Sequence, residues 1–283
     1  MSDNKARTPD RKFALIAPIV IGLAAIGVVI VLLLRPDPAP PAKVEPPPAA
    51  APSPPAVAAP PKVTSATRAD LIADAEAAAS AFAAGAAAPP SKLLGERFAL
   101  RLAFGCGGPA PDPGPLQAFY QLDPGTRTVR LVARPATWTD LPLVRGAPTP
   151  PATEAVEGFW IPRPWLRTDA CPRRREVAPP ATPTPVEAPS LGVAIFHGAE
   201  ASRAQRRGER PYEHVIKLPA DSDGQGLSFV LLLEGRVAGF SDRAAVHCWG
   251  ESVDHRPVCL YAVEIDRVAF EDAQGAVLAQ WPT

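Results

Sequence analysis

The chain has no C-x-x-C pair, no G-x-S-x-G elbow and no surplus of either charge. The missing C-x-x-C removes the commonest cysteine spacing of zinc sites. The missing elbow removes the strained nucleophile turn of the α/β-hydrolases. Lys and Arg number 29, and so do Asp and Glu, whereas a dedicated nucleic-acid binder carries a basic excess. Nucleic acid is therefore not an expected partner. One further absence is local: Phe13–Leu34, FALIAPIVIGLAAIGVVIVLLL, contains no charged residue.

A helix over those 22 residues is roughly 33 Å long at about 1.5 Å rise per residue, against a hydrocarbon core of about 30 Å. Fifteen of them are Phe, Leu, Ile or Val, each favouring insertion by roughly 0.3–0.6 kcal/mol near the helix centre. A secretory signal has a shorter apolar core, about 7–15 residues, and a small-residue cleavage site. Here Leu32, Leu33 and Leu34 run directly into Arg35 and Pro36, so an uncleaved anchor in a lipid bilayer is expected. Lys5, Arg7, Arg11 and Lys12 precede the segment, and only Arg35 and Lys43 closely follow it. The positive-inside rule then keeps residues 1–12 as a cytoplasmic tail and exports the rest. The excess of Arg over Lys and the abundance of Ala fit a GC-rich bacterial genome. The membrane is accordingly read as a bacterial inner membrane and the exported side as the periplasm.

Residues 35–66 read as a disordered Pro-rich linker, with twelve prolines among the 27 residues Pro36–Lys62. Proline fixes φ and lacks an amide donor, so neither helix nor sheet propagates and a stiff polyproline-type spacer is expected. An Ala-rich helix over 67–86 follows. Thr67 is a candidate N-cap, and Asp70 places negative charge in the first turn. Leu71, Ala75, Ala78 and Phe82 share one face, and Gly85, Pro89 and Pro90 mark the stop.

From residue 94 to 283 the pattern predicts a β-rich periplasmic domain with a Pro-rich loop at 172–190, read either as an exposed loop or as a subdomain boundary. Phe98, Leu100, Leu102 and Phe104 alternate with Arg97, Ala99, Arg101 and Ala103, as in a half-buried strand. Asp123-Pro124-Gly125-Thr126 predicts a type II turn between two strands. Further strands are expected at Gly158–Ile161, Leu191–Phe196, His214–Leu218 and Leu227–Leu233. Glu234-Gly235 is read as a turn into another strand at Arg236–Phe240. Val258–Val263, Ile265–Glu271 and Ala276–Trp281 read as a closing meander. The expected fold class is a single transmembrane helix, a disordered linker and a mainly β domain. That domain is sandwich-like, with Greek-key or meander connections and one N-terminal α-helix.

All four cysteines, Cys106, Cys171, Cys248 and Cys259, lie beyond the apolar segment. An even number in an exported domain predicts disulfides. Three pairings exist, and Cys106–Cys171 with Cys248–Cys259 is favoured because each then closes within one half of the domain. The grouping of His247, Cys248, His255 and Cys259 lacks zinc-ligand spacing. No metal or cofactor is expected.

The candidate catalytic residues are few. Val246-His247-Cys248-Trp249 lacks the Gly and Ser/Thr of the Ser/Thr-His-Gly-Cys block of cell-wall cysteine transpeptidases. Ser228 sits beside Phe229 without a base nearby in sequence, and His197, His214 and His255 are scattered. Asp221–Gly226 begins like a calcium loop, but Gln225 and Leu232 occupy positions where an EF-hand needs ligands. Two basic clusters, Arg173–Arg175 and Arg203, Arg206, Arg207 and Arg210, read as solvated loop charge or as a surface for anionic partners. Trp160 and Trp165 are candidates for a binding edge or for core. The layout of short tail, single span, proline spacer and exported β-domain resembles TonB-like and secretion-accessory envelope proteins. It implies a non-enzymatic binding or scaffold module with an envelope protein partner. The alternatives are a membrane-anchored cell-wall or envelope hydrolase and a lipid or ligand carrier that uses the sandwich interior.

Overall fold

A computed structural model of the protein describes residues 65–173, 188–200 and 205–283. The expected tail 1–12, span 13–34 and nearly all of the linker lie outside the described residues, as do residues 174–187 of the Pro-rich loop. Among the described residues no helix is long and apolar enough to cross a membrane. All of them fall within one compact unit, Pro61–Thr283, which is mainly β.

Helix α1 is Arg68–Ala83. Its start is specified locally: the Thr67 hydroxyl caps the Asp70 amide, and the Asp70 carboxylate accepts from the Thr67 amide at 2.8 Å, a capping box. Leu71, Ile72, Ala75 and Ala78 are buried, but Phe82, expected on the same stripe, is 44% exposed. Phe82 lies in the last turn of the helix, and Arg68, in the first turn, is buried on the same side as Leu71 and Ile72. Its guanidinium donates to the carbonyls of Leu166, Pro162 and Arg163 at 2.9, 2.5 and 3.0 Å.

The larger sheet has the order β1 (Arg97–Phe104), β8 (Phe229–Val237), β10 (Val258–Asp272), β6 (Leu191–Gly198), β5 (Thr153–Trp160) and β4 (Ala136–Thr137). Two further strands, β9 (Val246–Trp249) and β11 (Val277–Pro282), also pair with β10. A three-stranded sheet runs β2 (Ala118–Asp123), β3 (Thr128–Ala133) and β7 (Tyr212–Lys217). The one-turn helix α2 (Pro142–Gly146) is an addition to the expected elements. One large apolar cluster draws residues from both sheets and α1, with Tyr120 of the small sheet edge-on to Phe229 of the large one at 5.4 Å.

Strand β10 bends this architecture into shape. Cys259, Tyr261 and Val263 face the large cluster, while Leu260 and Ala262 face a smaller cluster around Trp138 and Phe240. The register against β8 shifts between Ile265 and Arg267. One inserted residue exchanges the two faces of a strand. After the bulge the even-numbered Val268 and Phe270 face the large cluster instead.

Two local expectations are corrected. Glu234-Gly235 is not a turn: β8 continues to Val237, and Gly235 opposes Ile265 beside the bulge. A Cβ on Gly235 would sit 1.9 Å from the Glu264 carbonyl oxygen. This glycine therefore serves close approach of two backbones rather than reversal of direction. The β2–β3 connection is not type II either. Asp123 Oδ1 accepts the Gly125 and Thr126 amides, and the left-handed residue is Arg127, at φ 55°. The Asp side chain supplies the turn, so Gly125 needs no positive φ.

Both disulfides form in the favoured pairing, Cys106–Cys171 and Cys248–Cys259, with S–S distances of 2.01 and 2.05 Å. Gly235→Ala should lower the unfolding free energy by roughly 1–3 kcal/mol through overpacking. Urea unfolding with an unchanged midpoint would refute the close-approach reading.

Candidate functional site

The chemistry-bearing side chains flagged in the sequence do not converge. Cys248 faces Cys259 across β9 and β10 and is bonded to it, so its sulfur is no thiolate. The neighbouring His247 Nε2 lies 2.9 Å from the Asp242 carboxylate, with its ring edge-on to Phe240. His255 Nδ1 lies 2.7 Å from Ser252 Oγ on an exposed loop, and His214 sits on β7. Ser228 immediately precedes β8 and is half-buried. In the stretch Asp221–Gly226, Asp223 accepts the Gln225 amide at 2.9 Å and Ser222 accepts the Gly224 amide, which makes a turn. Among the described residues no group of three or more His, Cys, Asp or Glu is placed to hold a metal ion. Trp160 packs on Trp138 at 4.4 Å between ring centroids, whereas Trp165 is 57% exposed.

A polar site does form where β4, β5 and β6 end the large sheet. Register makes it: Thr137 opposes Glu157, and Ala155 opposes His197. These side chains share the face on which Phe159 and Val193 enter the large cluster, because residues two apart on a strand point the same way. On the other face, Gly158 and Gly192 leave a trough for the Trp138 ring, which a Cβ at Gly158 would meet at 2.1 Å.

Glu157 and His197 are 5% and 7% exposed, the acid–base pair of the interior. His197 Nε2 lies 3.5 Å from Glu157 Oε2, beyond good hydrogen-bond length, and Nε2 keeps no hydrogen-bond partner among the described residues. The Glu157 carboxylate instead accepts two amides of the loop before β7, Arg207 at 2.8 Å and Gly208 at 2.9 Å. Burial pushes its carboxyl up, but His197 and the two amides outweigh burial and hold it below the ordinary glutamate value. Gly208 fits tightly: a Cβ there would lie 3.0 Å from Glu157 Oε1 and 3.1 Å from Thr137 Oγ1.

The same loop carries the second basic cluster. Arg207 stacks its guanidinium over the Tyr212 ring at 4.9 Å, and Arg206 reaches Glu154 at 3.4 Å. Burial raises the Tyr212 hydroxyl above its ordinary value, with Arg207 opposing. Arg203 lies outside the described residues, as do Arg174 and Arg175 of the first cluster. Between the loop and the sheet is a cleft of about 500 Å³, lined by Thr137, Ala155, Glu157, Arg206, Gly208, Glu209 and Arg210. That volume is in the range of small-molecule sites. Sequence reasoning found the arginines, took His197 for a scattered histidine and missed Glu157. The available signal was a lone carboxylate inside the apolar run Val156–Trp160.

No family model matches the chain, and neither a curated protein nor a solved structure matches it.

Glu157→Gln preserves size but weakens the grip on the loop amides, and should lower stability by about 1–3 kcal/mol at neutral pH. Because the folded carboxyl ionises more readily than the unfolded one, its stabilisation is full above the ordinary glutamate value of about 4.3 and is lost as pH falls through the lower folded value. The variant should show a shallower loss of stability on the acid side. Identical pH profiles in urea titrations would show that Glu157 does not hold the loop.

Proposed function

We propose that this chain is a single-pass inner-membrane protein presenting a β-rich binding or scaffold domain in the cell envelope. In this reading residues 13–34 span the bilayer, residues 1–12 remain cytoplasmic, and the proline-rich linker extends the domain into the periplasm toward an envelope protein partner. The domain is non-enzymatic and sandwich-like, with the small sheet stacked on part of the large one.

The carrying observation is the closure of both cysteine pairs. Disulfides persist in oxidising compartments such as the periplasm and the extracellular space. A charge-free apolar run precedes every cysteine, with basic residues on its N-terminal side. Disulfide chemistry and the positive-inside rule thus agree on where the β-rich unit resides.

A second reading, an anchored envelope hydrolase, draws on the buried Glu157–His197 pair beside the cleft. The first reading is preferred because both Glu157 oxygens already accept backbone amides and, among the described residues, no Ser or Cys lines the cleft.

A phosphatase reporter that needs its own disulfides, fused after Thr283, should be active in intact bacteria, while a reporter active only in the cytosol should be silent there. The reverse pattern would remove the anchor, the spacer role and the envelope assignment together.

A further inference from the structure

We propose that the cleft between the loop at 205–210 and the β4–β5 edge of the large sheet binds a small zwitterion. The ligand class is an amino acid or a short peptide, with its carboxylate on Arg206 and its ammonium toward Glu209. This deepens the reading of the domain as a binding module and rests on it.

Two observations carry the proposal. The first is an available donor. Arg206 lines the cleft, and its Nε is a buried N–H with no hydrogen-bond partner among the described residues. A buried donor is normally satisfied. The fork geometry of a guanidinium suits a planar carboxylate, which can accept from two of its accessible N–H groups together. Among the described residues the Arg206 fork reaches Glu154 through Nη2 at 3.4 Å, a long contact that leaves room for competition.

The second observation is the charge pattern of the lining. Arg206 and Arg210 oppose Glu157 and Glu209, two of each sign around one cleft of about 500 Å³. A simple anion would meet both carboxylates, and a simple cation would meet both guanidinium groups. A ligand carrying both charges can place each near its opposite, its carboxylate competing with Glu154 for Arg206. The carboxylate of Glu157 is engaged by the Arg207 and Gly208 amides, so Glu157 is the positioning residue. It fixes the loop, and with it Arg206 and Glu209, over the sheet. The more exposed Glu209 is the carboxylate free to meet an ammonium. Thr137 adds a hydroxyl on the sheet side of the cleft.

Calorimetric titration of the full-length protein in detergent, with diglycine, acetate and ethylammonium as separate probes, tests this. Diglycine should bind saturably, and acetate and ethylammonium each at least about tenfold more weakly. Arg206→Gln should weaken diglycine by at least about tenfold with thermal unfolding unchanged. Glu209→Gln should weaken diglycine several-fold without weakening acetate. No saturable diglycine binding, acetate binding as tightly as diglycine, or undiminished affinity in Arg206→Gln would each overturn the proposal. Should Arg206→Gln fail to fold, Glu209→Gln on the exposed loop decides alone, with unchanged diglycine affinity counting against the site. The reporter-fusion result is independent of these titrations. An empty cleft with an exported reporter removes only the ligand, and a cytosolic reporter removes only the envelope setting.

Discussion

Fifteen residues of one strand, Val258–Asp272, carry backbone ladders to four others. The N-terminal half of β10 lies between β9 and β6, parallel to β6 and antiparallel to β9. Its C-terminal half lies between β8 and β11. Backbone amides and carbonyls must be paired when buried, so this strand dictates where the neighbouring strands lie. The bulge at its middle lets one chain segment serve both halves, because it returns apolar side chains to the core after the bend. The Cys248–Cys259 bridge and Tyr261 attach other elements to the same strand. The Tyr261 hydroxyl donates to the Leu71 carbonyl at 2.8 Å and lies 2.9 Å from Asp74, which joins α1 to the sheet. Burial raises this hydroxyl far above its ordinary value, so it remains a donor.

Where ladders do not reach, buried charge binds the loops. Arg68 and Glu157 are among the few charged residues with almost no exposure. Arg68 gathers three carbonyls of the segment 162–166, and Glu157 gathers two amides at 207–208. A buried charge without partners is costly, so each can occupy its place only if the loop adopts the conformation that satisfies it. Burial, followed by the neighbouring Arg163, lowers Arg68 to about 10. The Cys106–Cys171 bridge ties down the far end of the segment that Arg68 holds. The cleft owes its shape to the Glu157 arrangement, since the loop amides it holds carry Arg206 and Glu209 on either side.

Much of the fold was legible because its signals were local. Thr67 and Asp70 specify a helix start within four residues, and the alternation at Phe98–Phe104 specifies a strand within seven. The turn at Asp272–Gly275 joins β10 to β11 as expected, with Asp272 Oδ1 accepting the Gln274 and Ala276 amides. The cysteine pairing was legible because only three arrangements exist and proximity along the chain favours one. Gly235 misled because a glycine that permits a turn and one that permits close backbone approach look identical in sequence. Phe82 misled because helical spacing predicts a face without revealing how far along the helix that face stays covered.

The candidate site belongs to the other category. Thr137, Glu157, His197 and Arg206 are spread over 70 positions and share no motif. They meet because strand register sets Thr137 opposite Glu157 and Ala155 opposite His197, and because the chain returns over that edge before entering β7. Local composition and periodicity determined that the described unit is mainly β, opens with a capped helix and closes two disulfides, since those properties depend on neighbours in the chain. Only the tertiary structure decided which charges are buried, which loop they hold and where a cleft opens, because each depends on pairing between residues that the chain keeps far apart.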